Sequence, residues 1–512
     1  MRSGEAVSQG TLDPLSQVRI LAPQPPTGSP SAHPGRSSGT EGTPRLVSDS
    51  SIEPLDGSTA AIILAAGRGV RMRSATPKVL HSVGGVPMVR RAVNAVRSAG
   101  IDRIVLVVPP DDEPFRAVVP ANVEFAEQTE PRGTGDAVRV GLDHLGSTAR
   151  RVVVVGGDTP LLAPSTLRAV ACSVPPATIA VGVAELDDPY GYGRVIVGEG
   201  ERVQRIVEEA DASEAERAVR LVNGMLWSFD ADWLRAALDV LQPSRGGELY
   251  LTTLMEAATA QGRSVQAVRF DDPWDVMGVN TRQQLAIAEA ELRDRVRNRL
   301  MEAGVTLIDP STTFVDESVV FGTDVVLHPQ CYLRGKSVVE DGCVLGPGAE
   351  VIDSHLRERA RVWWSVVEGA DVGARVTIGP YCRVRAGTVL EDDVALGSFG
   401  EVKNSRVGAG TQMHHFSYLG DADVGPNVNI GAGAVTCNFD GVEKHQTVIG
   451  AGAFVGSDTM LIAPVEVGEG AMTGAGSVVT RDVPPGGRVA GVPARAIPRH
   501  ANARKRRGAE RE

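Results

Sequence analysis

The sequence predicts two fold classes in one chain: a Rossmann-like α/β domain, followed by a triangular coil of short parallel strands. Two observations carry this prediction. From Ala60 onward, apolar stretches typical of strands alternate with amphipathic stretches typical of helices, as in a parallel sheet with crossover helices. From Val372 to Val402, an aliphatic residue returns at every sixth position, a period that neither an isolated helix nor an isolated strand has.

The first half contains predicted elements in regular succession. The predicted strands are Ala60–Ala65, Arg103–Val108, Val152–Gly156 and Ala177–Val183, and the predicted helices are Pro87–Ala99 and Pro164–Cys172. A strongly helical segment, Arg282–Glu302, leads into the coil.

The second half keeps its six-residue period through six consecutive repeats, which a Gly/Val-rich β-sandwich, the alternative, would not do. The aliphatic positions are Val372, Ile378, Val384, Leu390, Leu396 and Val402, then Val424 and Ile430, then Ile449, Val455, Leu461, Val467 and Val479. We expect each repeat to form one face with its aliphatic side chain on the axis, and the glycine that often follows to relieve crowding and permit positive φ at a corner. The period breaks at Ser405–Leu419 and Cys437–Thr447, which predicts two protruding loops.

Length and composition limit the class of protein. A chain of 512 residues is expected to hold two or more domains, and its net charge of −11 argues against general binding to nucleic acids or anionic membranes. There is no apolar run of 18 residues and no hydrophobic signal core in the first 30, which predicts a cytoplasmic protein. The five cysteines form no Cys-x-x-Cys pair, so neither a disulfide framework nor a zinc site is expected.

Five segments follow from these patterns. We predict a disordered extension rich in Pro, Ser and Gly over residues 1–58, the α/β domain over 59–281, a linker helix over 282–303, the coil over 304–485 and a C-terminal tail over 486–512. The basic run Arg504–Arg507 in that tail is interpreted as a solvated end.

The first strand runs into Leu64-Ala65-Ala66-Gly67-Arg68-Gly69-Val70-Arg71-Met72, and Pro77-Lys78 follows. Small residues after a strand let backbone amides approach a nucleotide, and basic residues can neutralise its phosphates. Met72 stands where the dinucleotide fingerprint would have its third glycine, which disfavours a Rossmann dehydrogenase. Asp158 follows shortly after the end of the predicted strand Val152–Gly156, where a carboxylate can hold Mg²⁺. An Asp at the end of a strand is as often a cap or turn residue.

These motifs together resemble the nucleotidyltransferases that join a sugar 1-phosphate to a nucleoside triphosphate. With Gln128 before Gly133-Thr134-Gly135, and with Gly191-Tyr192-Gly193-Arg194 further on, they resemble the uridylyltransferase half of the GlmU family of bifunctional bacterial enzymes. The resemblance implies Mg²⁺ as cofactor on Asp158 and Asn280. It implies UTP and UDP-N-acetylglucosamine binding at Leu64, Ala65, Ala66, Gly67, Arg71, Lys78, Gln128, Gly133, Thr134, Gly156, Gly157, Asp158, Gly193, Glu208, Asn223 and Asn280.

The coil resembles the hexapeptide-repeat acyltransferases, which implies a left-handed parallel β-helix and a homotrimer with active sites between neighbours. An isolated histidine is more often structural, but the stretch from His414-His415 to Val455-Gly456-Ser457-Asp458-Thr459 resembles the acetyltransferase half of the GlmU family. The resemblance implies His415 as the proton acceptor. It implies glucosamine 1-phosphate binding at Arg385, Lys403, Tyr418, Asn429 and Lys444, and acetyl-coenzyme A binding at Ala432, Asn438, Phe439, Ser457 and Ala475.

The chain departs from the family pattern mostly in its first half. Gly156 replaces a usual Tyr, Asp136 a frequent His, Met225 a normal Gly and Thr253 a common acidic residue, while Phe439 replaces a Tyr and Ala386 a Pro in the coil. The leading hypothesis is a bifunctional enzyme that makes UDP-N-acetylglucosamine, a cell-wall precursor, from UTP, acetyl-coenzyme A and glucosamine 1-phosphate. Two alternatives remain open: a sugar-phosphate nucleotidyltransferase with other substrates, and a sensor or scaffold whose N-terminal site has decayed.

Overall fold

The computed structural model describes residue 55 and residues 57–67, 69–172, 179–244 and 247–497. The predicted disordered extension therefore lies almost wholly outside the described residues, as does the basic run Arg504–Arg507.

The α/β domain has eleven described strands and, with the helix that follows it, eight described α-helices. The strands are β1 Thr59–Leu64, β2 Ser82–Val83, β3 Val86–Pro87, β4 Arg103–Val108, β5 Glu124–Glu127, β6 Arg151–Gly156, β7 Ile179–Glu185, β8 Arg194–Val197, β9 Val203–Val207, β10 Leu221–Asp230 and β11 Val265–Arg269. The helices are α1 Met88–Ser98, α2 Glu113–Arg116, α3 Thr134–Leu145, α4 Pro164–Cys172, α5 Glu214–Arg217, α6 Ala231–Asp239, α7 Leu254–Ala260 and α8 Arg282–Glu302. The predicted strands and helices of this half are confirmed, with described bounds that differ by two residues or fewer; residues 177 and 178, the start of the predicted strand Ala177–Val183, lie outside the described residues.

The α/β fold is confirmed, and its main sheet is mixed: the parallel strands that the alternation predicts are joined by antiparallel ones. Its strands lie in the order β11-β7-β10-β6-β1-β4-β5. β1 is parallel to β4 and β6, but β10 runs antiparallel to both β6 and β7. The alternation of strands and helices is lost between β7 and β10, where the hairpin β8–β9 replaces a crossover helix. Antiparallel strands can follow one another without a crossover, and this reverses the direction of β10.

Helix α8 contacts both halves of the chain. A capping box between Thr281 and Gln284 begins it, and its buried stripe is Ala288, Leu292, Val296 and Leu300. The first two pack with residues of the α/β domain, and the last two join the core of the coil. Apolar residues four positions apart lie on one helix face, so one stripe serves both contacts.

The coil is a stack of short strands in three sheets that are parallel except at the last strand of one of them, consistent with the left-handed β-helix of hexapeptide repeats. The first face contains Thr306–Leu307, Val326–Leu327, Val344–Leu345, Arg361–Val362, Thr377–Ile378, Ala395–Leu396, Gln412–Met413, Asn429–Ile430, Phe454–Val455, Met472–Thr473, Arg488–Ala490 and Arg495–Ala496. The second face contains Phe314–Val315, Tyr332–Arg334, Glu350–Ile352, Val366–Glu368, Arg383–Val384, Gly400–Lys403, Ser417–Gly420, Val435–Cys437, Met460–Ile462 and Val478–Val479. The third face contains Val320–Phe321, Val338–Val339, His355–Leu356, Asp371–Val372, Val389–Leu390, Arg406–Val407, Ala422–Val424, Thr447–Ile449 and Val465–Val467.

The predicted aliphatic positions are buried in one continuous core along the coil. The core begins well before Val372, and buried aliphatic residues that were not predicted already recur at intervals of six from Leu327 to Val351. The period is interrupted between Val351 and Val372. Some corners there are one residue shorter, so that axial residues such as Val351 and Leu356 are five positions apart.

One predicted loop is absent and the other is present. The segment Ser405–Leu419 continues the stack, because Val407, Met413 and Leu419 are all buried on the axis. The step of five from Val402 to Val407 and the methionine at 413 hide this from a search for aliphatic residues at intervals of six. Cys437–Thr447 does contain a loop. The chain leaves the second face after Cys437 and rejoins the coil at Thr447, in the third face.

The glycines after axial residues relieve crowding, but most of them do not have positive φ. A Cβ on Gly431 would lie 2.5 Å from the backbone nitrogen of Ser457 in the next coil. Positive φ falls two residues later, at Gly433 (+74°). Gly379, at +128°, is an exception among the glycines that follow an axial aliphatic. The tight approach of stacked backbones, rather than the corner conformation, therefore excludes side chains at positions such as 431.

The coil extends past its predicted end. Strand Arg488–Ala490 pairs with Met472–Thr473, and Arg495–Ala496 pairs antiparallel with it, so residues 486–497 are not a free tail. In the last turn, Val483 pairs with Val467. Because Val483 follows Val479 by four residues rather than six, the period of six does not reveal that the coil continues. Within the described residues, no helix is long and apolar enough to cross a membrane.

Candidate active sites

The first site lies at the carboxyl ends of parallel strands. From β1 the chain passes to β4 and β5 on one side and then returns to β6 on the other. Such a reversal of strand order opens a crevice at the carboxyl edge of a sheet. The predicted residues Leu64 to Gly67 lie at the end of β1 and just after it, Gln128 follows β5 and Asp158 follows β6, so the fold brings all of them to this crevice.

A cavity of about 800 Å³ occupies the crevice. All predicted nucleotide- and sugar-binding residues line it except Arg71 and Gly157. Arg71 reaches the same group of side chains, because its guanidinium donates to Asn280 Oδ1 at 3.0 Å. The Gly157 amide donates to the Leu64 carbonyl at 2.9 Å, and a Cβ on Gly157 would lie 2.9 Å from that oxygen. Gly157 therefore permits the close approach of the two strand ends.

A charged cluster lies inside the cavity. The Lys78 ammonium donates to the Asp158 carboxylate and to Asn280 Oδ1, the latter at 2.9 Å. The Val279 amide donates to the Asp158 carbonyl at 2.9 Å, and Gln284 Oε1 accepts from the Asn280 amide at 2.7 Å. The start of α8 thus positions Asn280 beside Asp158. Their two oxygens converge on one positive charge, an arrangement that also suits a hard divalent cation.

The predicted base-reading residue Gln128 is buried beside α3. Its amide nitrogen donates to Asp136 Oδ2 at 2.9 Å and to the Gly133 carbonyl at 3.4 Å. Gly133 has a φ of +112°, and a Cβ there would lie 2.7 Å from the Leu249 carbonyl oxygen. A glycine is therefore required at this point of the cavity wall.

The opposite wall carries the predicted sugar-binding residues. Glu208 Oε1 accepts from the Thr252 hydroxyl at 2.8 Å, and burial raises the pKa of the Glu208 carboxyl. The Tyr192 hydroxyl donates to the Gly278 carbonyl at 3.2 Å, and burial, with the nearby Asp158 charge, raises the pKa of Tyr192 to about 12. Tyr192 is therefore a neutral hydrogen-bonding group in the cavity.

Two departures from the family pattern meet at one point. A Cβ on Gly156 would lie 2.7 Å from Asp158 Oδ1 and 3.5 Å from Met225 Cβ. Met225 itself has a φ of +52°, a conformation that favours glycine. The space left by the missing side chain at 156 is thus bordered by the Asp158 carboxylate and by Met225.

Sequence reasoning missed Glu248 and Tyr250, which also line the cavity. Backbone bonds hold this segment against the start of α3, since Gly135 N donates to Leu249 O at 2.7 Å and Leu249 N donates to Arg132 O at 2.7 Å. No local pattern marks these residues, because the contact joins distant parts of the chain.

The second group of predicted residues lies along two edges of the coil. We call the corner between the first and second faces the first edge, and the corner between the second and third faces the second edge. His415, Ala432, Ser457 and Ala475 lie at the first edge in four successive coils. Backbone bonds stack these corners, among them Asp458 N to Ala432 O at 2.6 Å and Gly476 N to Ser457 O at 2.8 Å.

The predicted phosphate-binding cations lie at the second edge. Arg385 and Lys403 follow one another in adjacent coils, and Lys444 is in the loop of the coil two steps after that of Lys403. The neighbouring Lys403 lowers the pKa of Lys444, and Arg385 lowers it further. Three cations therefore converge on one small region, where a dianion would relieve their mutual repulsion.

Asp421, which was not predicted, organises the second edge. It accepts from Asn404 Nδ2 at 2.6 Å and from Asn438 Nδ2 at 2.5 Å, and Lys403 Nζ lies 3.5 Å away. Burial raises the pKa of this carboxyl, but the hydrogen bonds from the two asparagines and the Lys403 charge outweigh it and hold the pKa below its usual value. Asp421 thus ties the predicted residues Lys403 and Asn438 together.

The remaining predicted residues lie between or beyond these groups. Tyr418 is within a strand of the second face, Asn429 is in the first face, and Asn438 and Phe439 begin the loop at the second edge. At ~3.3 Å per strand residue, His415 is roughly 15 Å from the second edge of its own coil. One chain therefore does not bring His415 and the three cations to the same place.

Similar proteins agree with this division into two halves. The family model described as MobA-like NTP transferase domain matches residues 61–306, and the bacterial transferase hexapeptide model (six repeats) matches residues 446–481. The chain is 45% identical over 454 residues to the protein named "Bifunctional protein GlmU" from Rubrobacter xylanophilus, with 88% of this chain and 96% of that protein covered.

Two further relatives carry the same name. The protein from Trichlorobacter lovleyi is 44% identical over 433 residues, and that from Heliobacterium modesticaldum is 42% identical over 429 residues. Each alignment covers 83% of this chain and 94% of the relative. With a nucleotidyltransferase domain, a hexapeptide coil and this degree of identity across both, the chain belongs to the family of bifunctional GlmU proteins.

Proposed function

We propose that this chain makes UDP-N-acetylglucosamine in two reactions, one in each half. Residues 304–485 transfer an acetyl group from acetyl-coenzyme A to glucosamine 1-phosphate. Residues 59–281 then join the product to UTP and release pyrophosphate, and the helix over 282–303 connects the halves. The observation that carries the proposal is the Lys78, Asp158 and Asn280 cluster inside a cavity large enough for a nucleotide sugar.

In the uridylyl transfer, a phosphate oxygen of N-acetylglucosamine 1-phosphate attacks the α-phosphorus of UTP. The new P–O bond forms as the bond to the bridging oxygen breaks, and pyrophosphate leaves with the electron pair. Backbone amides in the segment Leu64–Gly67, at the end of β1, face the triphosphate, and Lys78 and Arg71 balance its charge. Gln128 meets the base, and Gly193, Glu208 and Asn223 hold the sugar.

Asp158 and Asn280 fit Mg²⁺. They supply one carboxylate and one amide oxygen, and the Lys78 ammonium already bridges these two oxygens. Mg²⁺ commonly takes one or two protein oxygens and completes its shell with water and phosphate oxygens. Bound there, the ion would neutralise and orient the phosphates.

In the acetyl transfer, the amine of glucosamine 1-phosphate attacks the thioester carbonyl. The C–N bond forms, the amine proton passes to His415, and the C–S bond breaks to release coenzyme A as thiolate. Arg385, Lys403 and Lys444 hold the phosphate, with Tyr418 and Asn429 on the sugar. Ala432, Asn438, Phe439, Ser457 and Ala475 line the groove for acetyl-coenzyme A.

The division of these residues between two edges supports a shared site in a homotrimer. A separation of roughly 15 Å within one coil is too long for His415 and the cations to act on one small sugar phosphate. If three coils pack side by side, the first edge of one coil meets the second edge of its neighbour. Three acetyltransferase sites then form between chains, while each uridylyltransferase site stays within one chain.

We place the enzyme and its small-molecule substrates in the cytoplasm.

The test is to incubate the purified full-length protein with glucosamine 1-phosphate, acetyl-coenzyme A, UTP and Mg²⁺. We expect UDP-N-acetylglucosamine, coenzyme A and pyrophosphate as products. Absence of the nucleotide sugar under these conditions would overturn the proposal. A preference for dTTP or GTP over UTP would favour a related enzyme with other substrates, and binding of UTP without release of pyrophosphate would favour a decayed site.

A further inference from the structure

The side-chain amide of Gln128 has an orientation that its surroundings determine. Its nitrogen lies between the Asp136 carboxylate at 2.9 Å and the Gly133 carbonyl at 3.4 Å. A carboxylate and a carbonyl oxygen are both acceptors without a hydrogen to donate. If the amide were reversed, its own oxygen would face both of them, and no hydrogen would lie between the three oxygens.

Burial makes this orientation costly to reverse. Gln128 and Asp136 are each only 6% exposed, so little water is present to satisfy a misplaced oxygen. Arg139 pairs with the other oxygen of Asp136 from the same helix. Buried polar atoms left without partners are strongly disfavoured, so the Gln128 nitrogen is held on Asp136 and its oxygen Oε1 remains the free acceptor.

We infer that Asp136 is a positioning residue that makes the site select uracil over cytosine, by turning the Gln128 oxygen toward the base. The inference rests on the proposed uridylyl transfer, in which Gln128 meets the base. Uracil carries a hydrogen on ring nitrogen N3, which donates to an acceptor. Cytosine has a lone pair on N3, which the same acceptor repels. A site built to accept a hydrogen bond rejects an analogue that lacks the hydrogen.

The substitution Asp136→Asn makes a specific prediction because of Arg139. A guanidinium can only donate, so the oxygen of the introduced amide turns to Arg139 and its nitrogen turns to Gln128. Gln128 then presents its oxygen to the introduced amide and its nitrogen to the base. This reversed amide donates to N3 of cytosine and opposes N3–H of uracil.

The experiment measures kcat/KM for UTP and for CTP with N-acetylglucosamine 1-phosphate, by pyrophosphate release from the full-length protein. We expect Asp136→Asn to lower the UTP to CTP ratio by on the order of 10-fold or more. Asp136→Ala, which leaves Gly133 as the acceptor, should lower the ratio less. Asp143→Asn removes the same charge from an exposed position of α3 and should leave the ratio unchanged.

A fall for UTP and CTP in parallel would overturn the inference, since it would mean that Asp136 only supports the wall. An unchanged ratio would overturn it as well. Circular dichroism and thermal unfolding of the same samples show whether each variant is folded. If Asp136→Asn is too slow to assay, calorimetric binding of UMP and CMP gives the same ratio. If the unsubstituted protein releases no pyrophosphate from UTP, the proposed function fails and the inference loses its basis.

Discussion

The α/β domain and the coil assemble their candidate sites in opposite ways. The α/β domain encloses a cavity of about 800 Å³, and a single chain brings the residues proposed to bind nucleotide, metal and sugar to this cavity. The coil distributes its residues along two edges of a prism, with His415 at one and Arg385, Lys403 and Lys444 at the other. A sheet that changes strand order has a crevice of its own, whereas a regular stack of coils has only faces and corners. The acetyl-transfer site proposed for the coil therefore requires a surface from a neighbouring chain.

The sharpest way to separate the two regions is to remove the proposed base. We expect His415→Ala to lower acetyl transfer by about 10²- to 10⁴-fold, since general base catalysis is typically worth that much. Uridylyl transfer should stay near normal, because the other site lies in another domain. The adjacent His414, which is also exposed, is the matched control, and His414→Ala should retain acetyl transfer. Equal loss in both variants would contradict the assignment of His415.

The reverse experiment removes a proposed metal ligand. Asp158→Ala should lower uridylyl transfer by on the order of 10²-fold or more, because Lys78 and Asn280 lose the charge that organises them. Acetyl transfer, followed by release of coenzyme A, should not change. Asp187→Ala, at an exposed position that pairs with Arg220, controls for loss of one surface charge. A folded Asp158→Ala variant that lost both activities would show that the two sites are not separate.

The shared acetyl-transfer site can be tested by mixing subunits. We expect His415→Ala and Lys403→Ala each to be inactive alone, and part of the activity to return when the two variants are dissociated and reassembled together. In the mixture, an intact first edge from one chain meets an intact second edge from another. Light scattering should also give about three times the chain mass of 53.8 kDa. No recovery in verified mixed oligomers, or a fully active monomer, would contradict the shared site.

The smallest predicted effect is a pH dependence at the second edge. The neighbouring Lys403 lowers the pKa of Lys444 from the ordinary lysine value of 10.5. Lys444 must be protonated to attract phosphate. Because its pKa is lowered, it loses its proton at a lower pH than an ordinary lysine, and phosphate binding weakens from that pH upward. We expect KM for glucosamine 1-phosphate to rise several-fold on the alkaline side. Lys444→Arg should move that rise to higher pH, because a guanidinium stays protonated. An unchanged pH profile in this variant would exclude Lys444 as the titrating group.

The two regions also differ in how far their sequences predict them. In the α/β domain, four of the eleven described strands, β1, β4, β6 and β7, were predicted, because apolar runs ended by turns are local features. The sheet order was not predicted, because β10 reverses direction without a local signal. In the coil, a steady period of six predicted the axial residues from Val372 to Val402. Corners shortened by one residue interrupt this period between Val351 and Val372 and again after Val402, and they concealed the regular path through Ser405–Leu419.

By itself, the sequence determined the two fold classes, the helix between them and the residue types at each predicted site. These depend on periodicity, on short motifs and on the order of motifs along the chain, all of which are read locally. The tertiary structure decided which residues meet. It brought Glu248 and Tyr250 to the nucleotide cavity, set Asp136 on the amide of Gln128, and put His415 and Lys403 at different edges of one coil. Such contacts depend on strand order and on the stacking of coils, which join residues far apart in sequence, and no local pattern contains that information.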